Sequence, residues 1–312
     1  MSTEAANHQP SDLFAQPLQD LRDAMHHQLE TLPQAPAVDA CRYHLSTGGG
    51  MMRARLGLVS ASLVLNSTDT IKAAMACEWL HNASLVHDDI SDGEPLRRGQ
   101  PTVCQRYGNG IALCAGDLML TLAFAATTDI SDLRVARRIQ KALTQQTQRV
   151  ISAQSQELAL TAQPARVSFN TYLAASTQKT APLIELSLSL GFAANDPKTQ
   201  EVHRFAQALG LAYQILDDLD DVMGSPQTAA HLHPLHAIHH HHREQRDDLV
   251  ALSCRRALRH ALAALNRAET LCNLFPLPLQ LELNHLCQAL YEHHRQLHRL
   301  CIQTSQKATQ ST

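Results

Sequence analysis

Glycine and proline are scarce where helices could run. Glycine occurs only 12 times in 312 residues, and proline is missing from residues 37–94, 102–163 and 235–275. Proline breaks helix interiors by removing a donor and clashing with the preceding turn, so its absence leaves these stretches open to long helices. No segment alternates strictly between apolar and polar residues, which removes the half-buried strand as a competitor. Cysteine occurs 8 times, always singly and never as CxxC. Neither a zinc site nor a disulfide framework is indicated, and a reducing cytoplasm fits. An extended basic stripe is also lacking, and the formal net charge is -3 with histidine neutral, which argues against nucleic acid as a partner. The best apolar run, Ile111 to Ala126, is broken by Asp117. It is shorter than the roughly 20 residues a spanning helix needs, so no transmembrane segment is expected. The N-terminus, with Glu4, His8 and Asp12, has no apolar core of the kind a secretory signal carries.

What is present points to a large helical core. Hydrophobic residues make up 44% and charged residues 18%, ample material for burial and no signature of disorder over the bulk of the chain. The predicted class is all-α, with a single helical domain over residues 17–312 after a polar, disordered N-terminus at residues 1–16. Asp20 to Leu32 reads as a first amphipathic helix, and Gly48-Gly49-Gly50 as a turn that opens the next. Breaks follow at Gly224 to Thr228 and Leu232 to His242. Asp247 to Leu274 and Gln280 to Gln303 read as terminal helices separated by Pro276 and Pro278.

The chemistry lies in two acidic clusters, Asp88-Asp89-Ile90-Ser91-Asp92 and Asp217-Asp218-Leu219-Asp220-Asp221. Each has carboxylates at i, i+1 and i+4, which fall within a sector of about 100° on a helix, so each would aim three carboxylates at one spot. A single such triplet is most often a solvated helix face. Here the apolar stretch Ala73 to Val86 precedes the first, and Phe205, Leu209, Ala212, Tyr213 and Leu216, spaced for one buried face, precede the second. Carboxylates crowded at the ends of buried helices need counter-cations. Oxygen-only clusters suit magnesium, which takes carboxylate, water and phosphate ligands in an octahedron. The pattern predicts an enzyme acting on a diphosphate.

The motif order resembles the trans-isoprenyl diphosphate synthases, the polyprenyl synthetase family of farnesyl and geranylgeranyl diphosphate synthases. His87-Asp88-Asp89-Ile90-Ser91-Asp92 followed by Arg97-Arg98-Gly99-Gln100-Pro101-Thr102 is similar to the family's HDDxxD and RRGxPT block. Ala115-Gly116-Asp117 with Leu118-Met119-Leu120 is similar to its AGD helix. Gln154, Glu157, Lys179-Thr180 and Gln214-Ile215-Leu216-Asp217-Asp218 then fall in family order, so the resemblance covers about residues 40–224. It implies an all-α bundle in which Asp88, Asp92 and Asp217 coordinate magnesium, supported by Asp89, Asp218 and Asp221. Arg97, Lys179, Thr180 and Gln214 would hold an allylic prenyl diphosphate, and Arg55, His81 and Arg98 isopentenyl diphosphate. A homodimer is implied as well. In the family, aromatics just before the first aspartate limit product length. Ala83 and Ser84 stand there, with Leu80 or Trp79 as a deeper floor, so a product of fifteen to twenty carbons is expected.

Two departures weigh on this reading. The family's GGKRxR block is here Gly49-Gly50-Met51-Met52-Arg53-Ala54-Arg55, with Met52 at the lysine. A thioether cannot hold a phosphate, which should weaken isopentenyl diphosphate binding by roughly 1–3 kcal/mol. Beyond Asp221, His231 and His240 occupy the positions of two loop lysines, within the histidine-rich segment His231 to His242. Histidine is only partly charged near neutral pH, so any help to ionisation from this loop would depend on pH. The missing lysines keep open a terpene synthase of the same fold, acting on a prenyl diphosphate without isopentenyl diphosphate, whereas the two intact aspartate clusters argue against a non-catalytic partner subunit.

Overall fold

The computed structural model describes residues 14–162, 168–224 and 247–310. Within these the chain is all-α, as its composition requires, with one two-residue hairpin. The helices are α1 (Ala15–Glu30), α2 (Pro36–Ser46), α3 (Met52–Ala61), α4 (Ser67–Asp92), α5 (Val103–Tyr107), α6 (Asn109–Ala125), α7 (Leu133–Thr161), α8 (Phe169–Ser189), α9 (Lys198–Gly224), α10 (Asp247–Cys272) and α11 (Leu277–Gln310). Strands β1 (Leu96–Arg97) and β2 (Gln100–Pro101) pair antiparallel between α4 and α5. The chain divides into two compact units, Met1–Thr144 with Leu186–Asp196, and Gln145–Glu185 with Pro197–Thr312. No helix among the described residues is long and apolar enough to cross a membrane.

The first unit is built around α4. Its N-cap Asn66 accepts from the Asp69 amide at 2.9 Å and donates to the Asp69 carboxylate at 3.0 Å. Reciprocal capping of this kind is worth about 1 kcal/mol and fixes where the helix begins. Ala73, Ala74, Ala76, Trp79, Ala83 and Val86 are then buried along its length. Helix α6 packs against it closely, through Ala112, Ala115 and Met119. Gly116 makes the approach possible, since a Cβ there would lie 2.3 Å from Nε2 of His87. The AGD motif is thereby seated against the HDDxxD motif.

In the second unit α9 packs on α10, and α10 on α11. Phe205, Leu209, Ala212 and Leu216 of α9 are fully buried, as their spacing predicts, and Phe205 meets Phe275 edge-on at 5.8 Å. Helix boundaries depart from expectation in three places, the smallest at α10, which ends at Cys272 rather than Leu274. Helix α1 starts at Ala15 and ends at Glu30 rather than spanning Asp20 to Leu32, because Pro17 sits in a first turn, where its missing N–H is not needed. Pro278 likewise lies inside the first turn of α11, which therefore begins at Leu277 and reaches Gln310, beyond the expected Gln280 to Gln303. Of the segment expected to be disordered, residues 1–13 lie outside the described residues, and residues 15 and 16 are helical.

Candidate active site

The last two turns of α4 carry the first cluster, and its three carboxylates differ in exposure. Asp88 and Asp92 are half-buried, whereas Asp89 is 1% exposed. Arg97 on β1 donates to Oδ1 of Asp89 from Nε at 2.8 Å and from Nη2 at 2.7 Å. Burial pushes the Asp89 carboxyl up and the Arg97 guanidinium opposes it. Asp89 thus anchors the arginine hairpin to α4. His87, one residue before the cluster, stands 3.4 Å from Asp117 of the AGD motif.

The hairpin turn has Arg98 at φ +56° and Gly99 at φ +74°, the two positive values a type I′ turn requires. A left-handed arginine costs roughly 1–2 kcal/mol. That cost is offset where Arg98 Nη1 donates to the Gly48 carbonyl, tying the arginine turn to the glycine turn. Gly49, at φ +149°, lies so close that a Cβ would sit 2.6 Å from the Arg98 guanidinium. Met51 follows at φ +47° as the left-handed residue before α3, and Met52 opens that helix, half-buried.

Behind this turn α3 and α4 share a polar cluster. Arg53, 8% exposed, places Nη1 3.2 Å from Nε2 of His81. Buried Glu78 accepts from the Ala54 amide at 3.1 Å and from Asn82 Nδ2 at 3.2 Å, while Asn82 Oδ1 meets Nε2 of His44 at 3.0 Å. Burial and the nearby Arg98 and Arg97 lower the His44 pKa to about 4. His81 is held well below its ordinary value by burial and by the charges of Arg53 and Arg98. It is neutral at pH 7, accepts from Arg53 at Nε2, and so carries its proton on Nδ1, which is shielded from solvent and has no hydrogen-bond partner among the described residues. Arg55 is half-buried on α3. Ala83 is 2% exposed and Ser84 half-buried. Trp79 donates to Gln28 of α1 at 2.7 Å, and Leu80 is 3% exposed.

In the second unit the same division recurs. Asp217, Asp220 and Asp221 are exposed near the end of α9, and Asp218 is 1% exposed. Asp218 accepts from the Tyr172 hydroxyl at 2.6 Å on Oδ2 and from Gln214 Nε2 at 2.7 Å on Oδ1. The Gln214 carbonyl in turn accepts from Thr180 at 2.5 Å. Burial and the Asp218 charge raise the Tyr172 pKa well above its usual value, so the phenol stays a donor. Thr180, Gln214 and Asp218, expected at the diphosphate or the metal, form a buried chain of hydrogen bonds. Lys179, half-buried, pairs with Glu157 at 3.0 Å, and Asp220 pairs with His293 at 2.7 Å.

In both clusters the second aspartate is buried while the other members are more exposed. Among the described residues no three histidine, cysteine, aspartate or glutamate side chains form a group able to hold a metal ion. At i+1 a side chain turns about 100° from its neighbour, and in each cluster that residue, Asp89 or Asp218, is turned into the protein by donors waiting there. Glu78, Arg53 and Tyr172, which complete these arrangements, were not singled out as site residues by sequence. For Glu78 the clue was the spacing of Glu78, Asn82 and Asp89 along one face of α4; Tyr172 offered none. His231, His240 and the rest of the histidine-rich segment lie outside the described residues.

Comparison with known proteins places this geometry in a family. The profile described as polyprenyl synthetase matches residues 35–231. A short chain isoprenyl diphosphate synthase of Methanocaldococcus jannaschii is 32% identical over 190 residues, 60% of this chain and 58% of its own length. A geranylgeranyl diphosphate synthase of Mycobacterium tuberculosis is 31% identical over 222 residues, 66% of this chain and 63% of its own. The matches thus span somewhat more than half the length of these curated relatives. A solved geranylgeranyl pyrophosphate synthetase from Geoglobus acetivorans superposes with a TM-score of 0.76 at 21% identity, covering 90% of this chain and 99% of that one. A Helicobacter pylori geranyltransferase, solved with magnesium and isoprenyl diphosphate, gives 0.73 at 21% identity, with 94% and 100% covered. At such identities the likeness concerns the fold, which is the same all-α fold. With its profile match running from α2 to beyond α9, through both acidic clusters, the chain belongs to the polyprenyl synthetase family.

Proposed function

We propose that the chain is a trans-prenyl diphosphate synthase that condenses an allylic prenyl diphosphate with isopentenyl diphosphate to a linear product of fifteen to twenty carbons. The observation that carries this reading is the retained second-substrate set of Arg55, His81 and Arg98, with the shielded Nδ1–H of His81 lacking an acceptor. Buried donors without partners are rare in folded proteins and commonly mark ligand positions. A cyclase acting on one diphosphate has no use for this set. In this reading Arg98, fixed to the glycine turn, and Arg55 neutralise the second diphosphate, and neutral His81 donates to it.

The outward-facing carboxylates suit magnesium. Asp88 and Asp92 in the first unit would hold it, as would Asp217 and Asp221 in the second, and bound magnesium supplies charge neutralisation on the departing pyrophosphate. Too few protein oxygens gather at either cluster to complete an octahedron, so diphosphate oxygens and water would fill the remaining positions. Lys179, steadied by Glu157, would donate to pyrophosphate oxygens, while Thr180, Gln214 and Asp218 hold α8 and α9 in register. Ala83 leaves room for a growing chain. Trp79 is committed to Gln28, which leaves Leu80 as the floor.

Purified protein with magnesium and geranyl or farnesyl diphosphate, with and without isopentenyl diphosphate, tests the proposal by product analysis. A longer linear prenyl diphosphate should form only when isopentenyl diphosphate is present. A cyclic or alcoholic hydrocarbon made efficiently from the allylic substrate alone, with no elongation, would establish the terpene synthase instead.

A further inference from the structure

The cysteines stand singly in sequence, yet the fold pairs four of them along one helical hairpin. Cys272, at the end of α10, lies 4.0 Å from Cys287 of α11, sulfur to sulfur. Cys254, earlier on α10, interacts with Cys301, later on α11. Between them His294 lies 3.1 Å from the Leu258 carbonyl. Positions on one helix fall as their partners on the other rise, the register of an antiparallel pair. All four thiols are free and buried, and none takes part in the site described above.

We propose that this hairpin is an oxidative modification site, at which a peroxide converts Cys272 with Cys287, and Cys254 with Cys301, into two disulfides that staple α10 to α11. Sulfurs in a disulfide stand about 2 Å apart, so thiols at contact distance are unbonded neighbours that need only side-chain rotation and a small backbone adjustment. One thiol attacks the peroxide oxygen and becomes a sulfenic acid with release of water. Its neighbour then attacks that sulfur, forming the S–S bond and a second water. Each pair loses two hydrogens and two electrons, and one peroxide is reduced to two waters.

The first pair is suited to this chemistry. Cys272 and Cys287 share one thiol hydrogen bond in which either sulfur can be the donor, so the accepting thiol is the readier nucleophile and the donor the resolving one. Cys272 also adjoins the turn at Asn273–Pro276, where Leu274 is 41% exposed. Fraying of that last helical turn would admit a small oxidant.

Folded full-length protein treated with a small excess of hydrogen peroxide, alkylated, and cut with trypsin and Glu-C tests the proposal, because cleavage after Glu282 separates Cys272 from Cys287. Two linked peptide pairs are expected, each lighter by two hydrogens and each released by dithiothreitol. The unfolding temperature should rise by several degrees on oxidation, because the cross-links restrict the unfolded chain. Cys272→Ser should lose the first link and part of the rise while keeping the second. Recovery of all four cysteines alkylated, links to the exposed Cys114 instead, or links formed only in denaturant would overturn the proposal. If Cys272→Ser fails to fold, Cys287→Ser replaces it, and the wild-type peptide map decides by itself.

Discussion

Neighbouring aspartates in each cluster differ in burial, and under the proposed function mutation should separate their roles. Asp218 satisfies Tyr172 and Gln214, so Asp218→Ala leaves two buried donors stranded, at about 1–3 kcal/mol each. Tyr172→Phe removes one of those bonds and should cost about 1–2 kcal/mol by the same accounting. Asp88→Ala and Asp217→Ala remove outward-facing carboxylates and should change stability by less than about 1 kcal/mol. Their turnover should nevertheless fall by at least about 100-fold, since a bound metal ion supplies several kcal/mol of charge stabilisation. Denaturation curves set beside steady-state rates check both expectations. A large stability loss at Asp88 with turnover intact would reverse the assignment. Met52→Lys restores a cation beside Arg53 and should lower the KM for isopentenyl diphosphate several-fold without moving that for the allylic substrate.

Helix α4 buries a polar stripe as well as an apolar one, and the stripe should respond to pH. His44, buried against Asn82 on that stripe, has its pKa lowered to about 4 from 6.5. The folded state therefore resists a proton that the unfolded state accepts. Stability contributed by neutral His44 is fully present above about pH 6.5 and is lost as pH falls from 6.5 towards 4, by up to roughly 3 kcal/mol. His81 acts in the same direction. Urea titrations at pH 7.5, 6 and 5 should show this decline, and His44→Gln, which stays neutral, should flatten it. An unchanged slope in that variant would remove His44 as the cause. On the same helix Ala83→Phe should shorten the product. An identical product distribution would place the limit elsewhere.

A homodimer is the assembly we propose, and α6 offers a face for it. Leu113 is 52% exposed, and Leu118, Leu120 and Phe124 are only half-buried. Apolar side chains at helical spacing on a surface mark a face that another surface covers. Sedimentation should give twice the chain mass, and Leu113→Glu with Leu120→Glu should shift it towards the monomer. A wild-type monomer at micromolar concentration would end that proposal.

Composition and periodicity by themselves determined the all-α class. Few glycines, long proline-free stretches and apolar residues at helical spacing leave no other way to bury this much side chain. Motif order by itself singled out the acidic and basic residues proposed for the site. Only tertiary structure decided what each does. A side chain's role depends on which donors face it, and those arrive from distant positions: Arg97 at Asp89, Tyr172 at Asp218, Gly48 at Arg98. The cysteines show the same dependence. Cys254 and Cys301 are remote in sequence, and helix packing, which follows the apolar faces and not the thiols, makes them neighbours.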